Sequence, residues 1–551
     1  MSEQLLKASS CCKSFGFKDV LRDVSLIINR SDRLALVGAN GVGKTTLIKI
    51  LIGQLEPDSG IIERKNGLQI GYLSQDLSNF QDEQQSLRQY FEDSLGNLHT
   101  IATRMAKLEA ELANPAIDSK VMQQCLEEYG ILQEVFEEKN GYDLDHRIER
   151  VMEGLELEHL DPDRQLSSLS GGERTRLHFA AMLLQSPDLL ILDEPTNHLD
   201  TSALIWLEKF LSAYPNAFLV ISHDRRFLNN TVQVIAELNT DPHLLSWYYG
   251  DYDDYLSEKQ RRYEKALRDY EDYKNKVKEL KCLIKAKSFS EKSGRPPSDN
   301  NWMAYDHKGG RVDKSKSRLI RNAKERLSVL EKNPISNPKP PPDIGLRFLP
   351  KELVSERIIQ IEEMSKKYDN NILFSNVSKE VYARQRVIIS GANGIGKSTL
   401  LKMIIGWITP DTGSITLAPC VQLGYLDQEG ESLDLEKTIL EEYAEGRQAE
   451  DSVLRAELHK YGLFGDQQVF MKVKDLSTGQ RQKLQLAKII GSGANVLLLD
   501  EPTNHLDFEC LEALEQALLQ FPGTVLAVSH DRTFIEKIAT DIWLIKGQCI
   551  L

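Results

Sequence analysis

No run of 18 or more apolar residues occurs in the 551-residue chain, which excludes a membrane-spanning helix. Apolar words such as LLILD at 189–193 and VLLLD at 496–500 are strand-sized. The opening MSEQLLKASSCCKSFG lacks a basic stretch followed by an apolar one, so no secretory signal is expected. The seven cysteines, at 11, 12, 125, 282, 420, 510 and 549, form neither a CxxC pair nor an even ladder. They read as reduced thiols of a cytoplasmic protein. Wholesale disorder is excluded by a hydrophobic share of 41%. A single core is excluded by length, which implies two to four domains.

The net charge is −14, from 68 basic against 82 acidic side chains, and on average argues against nucleic-acid binding. The average conceals a segregation. Between Lys259 and Lys332 stand 22 Lys/Arg and 11 Asp/Glu, a net +11, leaving −25 for the remainder.

The chain is an internal duplication. GANGVGKTT at 38–46 recurs as GANGIGKST at 391–399, LLILDEPTNHLD as LLLDEPTNHLD, and ISHDRRF as VSHDRTF. Spacings agree too: Lys44 to Gln75 and Lys397 to Gln428 are both 31 residues. Ser170 to Asp193 and Ser477 to Asp500 are both 23, while Asp193 to His223 and Asp500 to His530 are both 30. One interval differs, 95 residues from Gln75 to Ser170 against 49 from Gln428 to Ser477, so the first copy holds a 46-residue insertion. Strand-sized runs such as RLALVG at 33–38 alternate with amphipathic stretches, predicting an α/β fold in each copy with a buried parallel sheet. The expected domains are 1–249, 250–342 as a linker, and 343–551.

The insertion, about 95–140, predicts a helical hairpin. Ile101, Met105, Leu108 and Leu112 share one helical face, Asn114-Pro115 breaks the chain, and Met122, Leu126, Tyr129 and Leu132 resume it. Its net −4 suits a protein contact, or simple packing on its own domain. In the linker, Tyr263, Leu267, Tyr270, Val277, Leu280 and Ile284 stripe a helix over about 258–287. At 1.5 Å per residue it is about 45 Å long, so part of it should project. Leu319, Ala323, Leu327 and Leu330 stripe a second helix over about 314–332, and the two imply an antiparallel pair. The intervening loop 288–313 sets Phe289, Trp302, Met303 and Tyr305 among Arg295, Lys308 and Arg311. Stackable rings among cations suit RNA phosphates and bases; the competing reading is a solvated charged coiled coil.

Each copy carries the chemistry of a nucleoside triphosphatase. GxxxxGK[ST] is met by Gly38–Thr45 and Gly391–Ser398, where backbone N–H groups cradle phosphates. Lys44 or Lys397 neutralises them, and the Thr45 or Ser398 hydroxyl ligates Mg²⁺. Asp193 and Asp500 end apolar strands and can hold the ion through its waters. Glu194 and Glu501 are placed to polarise the attacking water, Gln75 and Gln428 to sense the ion or the water, and His223 and His530 to grip the γ-phosphate. A lone histidine would read as structural, but eight agreeing positions in two copies reverse that. LSGGE at 169–173 and LSTGQ at 476–480 place a serine at a helix start, an anion site redundant unless it caps the phosphate of the other half.

With these words in hand, the sequence resembles ATP-binding cassette proteins, and more narrowly the ABC-F family, over nearly its whole length. The resemblance implies two cassettes closing head to tail, within one chain, on two ATP and Mg²⁺. Site one would join Asn40, Gly41, Gly43, Lys44, Thr45, Thr46, Gln75, Asp193, Glu194 and His223 to Ser477 and Gly479. Site two would join Asn393, Gly394, Gly396, Lys397, Ser398, Thr399, Gln428, Asp500, Glu501 and His530 to Ser170, Gly171 and Gly172. Phe15 and Tyr368 would stack on adenine, and Asp200 and Asp507 would couple the sites. One departure is Thr478, where the family has a glycine; its methyl is expected to crowd the γ-phosphate in site one.

The resemblance also implies a target, the bacterial 70S ribosome near the tRNA exit site. The hairpin would meet a stalk protein, and the linker would reach P-site tRNA, 23S rRNA and the peptidyl-transferase centre. Two roles follow, ribosome protection against antibiotics, favoured by the bulky 288–313 loop, and a housekeeping factor for stalled ribosomes. A soluble ATPase of a transporter or DNA-repair assembly is the third.

Overall fold

The structure is a computed structural model that describes residues 3–16, 18–74, 85–95, 97–113, 119–138, 144–240, 244–289, 318–338, 346–348, 350, 355–368, 371–428, 430, 432–447, 449–460, 464 and 468–551. Each copy builds the expected α/β layer. In the first, the sheet runs Ile70–Leu73, Leu189–Asp193, Ala217–Ile221, Arg33–Val37, Val234–Leu238, Leu245–Tyr249. Its strands are parallel except the last, which pairs antiparallel. In the second, the order is Leu423–Leu426, Val496–Asp500, Thr524–Val528, Arg386–Ser390, Asp541–Lys546, Cys549–Ile550. Leu189–Asp193 and Val496–Asp500 are buried at every position, which is why both read as unalternating apolar runs.

A second layer was not foreseen. Each copy adds a three-stranded antiparallel sheet, Lys18–Asn29, Gln4–Phe15 and Ser59–Arg64 in the first, and Asn371–Tyr382, Arg357–Tyr368 and Thr412–Leu417 in the second. Its central strands break alternation with a bulge, at Ser10 with φ 48° and at Glu363 with φ 45°, so a period of two is lost midway.

The insertion is helical over Asn97–Leu112 and Ser119–Glu138, joined by Arg104 to Glu128 at 2.7 Å and by the Tyr129 hydroxyl donating to Glu109 at 2.7 Å. Met105 and Leu108 are buried as expected. In the second stripe Tyr129 and Leu132 turn inward as expected, but Cys125 and Phe136 join them there, and Met122 and Leu126 are exposed. The register 125/129/132/136 is equally helical, and the Phe136 ring fills the gap beside Met105.

Met1–Tyr252 and Asp343–Leu551 form one compact unit, and Asp253–Pro342 another. The second unit is built on the helix Tyr252–Phe289, 38 residues long and about 57 Å at 1.5 Å per residue. It starts earlier than the 258 expected, because Tyr252-Asp253-Asp254 supplies a buried ring and acidic residues for the first turn. The second helix, 318–332, meets it through the Tyr273 hydroxyl donating to the Leu330 carbonyl at 3.4 Å and through Lys281–Glu331 at 3.1 Å. Ile320, not Leu319, joins Ala323, Leu327 and Leu330 on the covered face. Of the proposed RNA-contacting residues, Arg295, Trp302, Met303, Tyr305, Lys308 and Arg311 lie outside the described residues; Phe289 ends the long helix.

Candidate nucleotide sites between the two copies

The glycine words become loops because their glycines take conformations closed to other residues. Gly38 sits at φ 151°, where a Cβ would stand 2.6 Å from the Leu238 carbonyl. The loop then opens directly into the helix Lys44–Ile52, and in the second copy into Lys397–Ile405. Lys44 Nζ donates to the Gly38 carbonyl at 2.7 Å, and Lys397 Nζ to that of Gly391 at 2.8 Å. Burial lowers the pKa of both lysines, opposed by Glu194 and Glu501 respectively.

Two cavities lie between the copies. The first, about 310 Å³, is lined by Phe15, Asn40, Gly41, Gly43, Lys44, Thr45, Thr46, Asp193, Glu194 and His223 from the first copy. The second copy contributes Ser477, Thr478, Gly479 and His505. The other cavity, about 840 Å³, is lined by Asn393, Gly394, Gly396, Lys397, Ser398, Thr399, Gln428, Asp500, Glu501 and His530, facing Ser170, Gly172 and Glu173. Gly171 and Tyr368 are not among its lining residues, and Tyr368 is half exposed with Lys366 Nζ 5.4 Å from its ring centre. Gln75 lies outside the described residues.

The strand ends hold the acidic groups. Thr45 Oγ1 donates to Asp193 at 3.1 Å, while Asp500 is buried with its Oδ1 lacking a partner. A buried, unpartnered carboxylate oxygen near a serine hydroxyl fits a hard divalent ion with oxygen ligands. Glu194 and Glu501 follow at φ 53° and 49°, positive values that turn their side chains off the strand line. Burial pushes both carboxyls up to about 8, with Lys44 and Lys397 opposing. His223 Nε2 stands 3.3 Å from Glu194, and His530 Nε2 3.5 Å from Glu501. Burial holds His223 well below its ordinary value and lowers His530 to about 4, so both rings are neutral. Nδ1 of each ring is buried without a partner.

The signature serines cap their helices as their words imply. Ser170 and Glu173 form a reciprocal capping box, as do Ser477 and Gln480. At the smaller cavity closure is intimate: Asn40 Nδ2 donates to the His505 carbonyl, and Asn40 N to Asp507 at 3.4 Å. A Cβ on Gly479 would meet the His505 carbonyl at 2.5 Å, whereas one on Gly172 or Gly171 would meet nothing within 4 Å. Thr478 borders the cavity with an exposed side chain. Away from the cavities, Arg225 donates to both Glu515 oxygens at 3.0–3.1 Å, and Arg532 reciprocally reaches Glu208. His505, Lys483, Glu156, His159 and Arg176 also border the sites or their loops and were missed. Only the repeated NH of EPTNHLD hinted at His505; the others stand in words that differ between copies.

The family profile described as "ABC transporter" matches residues 21–197 and 374–504. The chain is 35% identical to "Putative ATP-binding protein YdiF" of Bacillus subtilis, covering 98% of this chain and 79% of that protein. It is 35% identical to "Energy-dependent translational throttle protein EttA" of Haemophilus influenzae, over 95% of this chain and 89% of the relative. Its likeness to the EttA of Mycobacterium tuberculosis is 32%, over 100% and 92%. A solved "complex of archaeal ribosomal stalk protein aP1 and archaeal ribosome recycling factor aABCE1" superposes with a TM-score of 0.55 at 21% identity, covering 98% of this chain and 89% of that one. At that identity the likeness concerns the fold alone.

Proposed function

We propose a function from one premise: the chain belongs to the ABC-F family of tandem ATP-binding cassette proteins, and it is an ATPase. Our reading is an ATP-driven translation factor acting on the bacterial 70S ribosome near the tRNA exit site. Two ATP molecules are held between the copies. Lys44 and Lys397 neutralise the phosphates, and Ser477–Gly479 and Ser170–Gly172 cap the γ-phosphates from across the interface. Thr45, Asp193 and Gln75, and Ser398, Asp500 and Gln428, are the residues that would hold Mg²⁺, which supplies charge neutralisation on the phosphates. Glu194 and Glu501 orient the attacking water, and neutral His223 and His530 offer N–H donors to the γ-phosphate. Phe15 stacks on adenine at site one, and Tyr368 has the same role at site two.

The observation that carries the ribosomal target is likeness over 95% of the chain to proteins named for translational throttling. The basic second unit supports it, since a net +11 segment in an otherwise acidic chain suits a polyanion. The same relatives favour the housekeeping role over antibiotic protection, whose argument rested on the loop 288–313. The linker would then act on P-site tRNA and the peptidyl-transferase centre. The test is the double variant Glu194→Gln/Glu501→Gln, which should hold ATP and co-sediment with 70S ribosomes. Ribosomes pelleting without it in ATP would overturn the target. A gain of resistance to large-subunit drugs on expression in a susceptible host would restore the protection reading.

A further inference from the structure

The duplication supplies its own control, since beyond the insertion each residue of the first copy has a partner 307 positions on in the second, as Asp193 and Asp500 or His223 and His530 do. The reciprocal pairs Arg225–Glu515 and Arg532–Glu208 obey this symmetry. The residue following the coupling aspartate does not. After Asp507 comes Phe508; after Asp200 comes Thr201.

Phe508 is placed where that difference matters. The His223 ring meets it edge-on, with centroids 5.2 Å apart and planes at 68°. On its other side Tyr252 packs at 4.7 Å and 40°. Tyr252 is fully buried and is the first residue of the long helix that continues as the second compact unit. Its phenol also faces the Arg225 guanidinium, the group held by Glu515. One ring from the second copy thus bridges a first-copy histidine at site one and the root of the linker helix. Among the described residues, no ring packs on His530.

We infer that Phe508 is a positioning residue that ties the state of site one, and not of site two, to the linker helix through His223 and Tyr252. The inference rests on the ATPase reading above and deepens it. Asp507 caps the helix that Phe508 begins, accepting from the Cys510 N–H at 3.0 Å, and it also accepts from Asn40 of the first phosphate loop. Phe508 therefore travels with the second copy's half of site one. While that site is closed the ring is wedged between His223 and Tyr252. When the site opens, both lose it together, and a buried tyrosine at the helix root must repack. At site two, opening moves only Thr201, which has no ring to transmit the displacement.

The experiment uses the full chain labelled on its two exposed native cysteines, Cys282 on the linker helix and Cys549 on a strand of the second copy, with half-buried Cys12 and Cys420 changed to Ser. Pulsed electron resonance reads the distance between labels with and without ATP, and filter binding reads the ATP retained per chain. Glu194→Gln, which traps site one, should shift the distance on adding ATP. Glu501→Gln, which traps site two, should leave the ATP-free distribution. Adding Phe508→Thr to Glu194→Gln should abolish the shift while trapped ATP is kept, and adding Tyr252→Phe, which preserves the ring, should retain it. Should Phe508→Thr prove unfolded by circular dichroism, Phe508→Leu takes its place. An equal shift in Glu501→Gln, or one that survives loss of the ring, overturns the inference. If Glu194→Gln retains no ATP, the ATPase reading itself has failed, and the inference falls with it.

Discussion

Asp531 begins the helix Arg532–Ile538, accepting from the Thr533 and Phe534 N–H groups at 2.8 and 3.0 Å. Burial, with the Asp224 carboxylate adding repulsion, pushes its pKa up to about 6. In an unfolded chain the group titrates near ~3.9. The folded protein therefore binds this proton more tightly, and stability falls as pH rises from about 4 through about 6. Asp531→Asn keeps an acceptor for the cap and removes the charge. It should raise the melting temperature at pH 7.5 and give no gain at pH 4. Two units correspond to a ceiling of about 3 kcal/mol, from which the weaker neutral hydrogen bonds subtract. Equal effects at the two pH values would contradict the assignment. Gly479→Ala belongs to the same scale. Its Cβ would collide with the His505 carbonyl, while the matching Gly172→Ala enters open space. Steady-state ATP turnover should fall about tenfold in Gly479→Ala, a cost of ~1.4 kcal/mol at the barrier, and clearly less in Gly172→Ala. Equal losses would mean that the closer approach at site one has no bearing on turnover.

Among the elements, the inserted hairpin has a small core of its own. Met105, Leu108, Cys125 and Phe136 are its buried apolar side chains among the described residues. Leu108→Ala should cost about 2–5 kcal/mol locally, more than so small a cluster can spare. Hydrogen exchange should then show Asn97–Glu138 losing protection while ATP hydrolysis by the isolated protein persists. Protection that stays native would place the hairpin's stability elsewhere. The same hairpin marks how far the sequence could be read. Its existence followed from apolar spacing around Asn114-Pro115, and Tyr129 and Leu132 face inward as expected, yet Met122 and Leu126 do not, because they fit a helical period as well as Cys125 and Phe136 do. Periodicity identifies a face only up to what lies opposite it. The central parallel strands, such as Leu189–Asp193 and Val496–Asp500, were plain as apolar runs, whereas the bulged antiparallel strands hid their alternation. At the sites, the residues in repeated words were legible. Lys483 and Glu156 were not, since Lys483 matters through Asp507, which in turn meets Asn40 of the first copy, and Glu156 through the cavity it lines with the second copy, and no local pattern records either.

The molecule as a whole separates its charge, with a basic segment over 259–332 in a remainder of −25. Self-repulsion of that acidic remainder by an RNA surface should confine binding to the basic unit, and such binding is governed by counterion release. Lys274, Lys276 and Lys278 are exposed on the long helix, within a run that carries Lys281 and Lys285 beyond them. Changing these three to Gln removes three potential phosphate contacts without touching the cassettes. If all three meet RNA, the slope of log affinity for ribosomes against log salt should flatten by about 2, at roughly 0.7–0.9 per contact. Affinity near physiological salt should fall with it, and basal ATP hydrolysis should not. The measurement is co-sedimentation of the ATP-trapped Glu194→Gln/Glu501→Gln chain across a salt series, with and without the three substitutions. A parallel curve would show that this helix face meets protein or solvent, and would move the polyanion contact to another part of the basic unit.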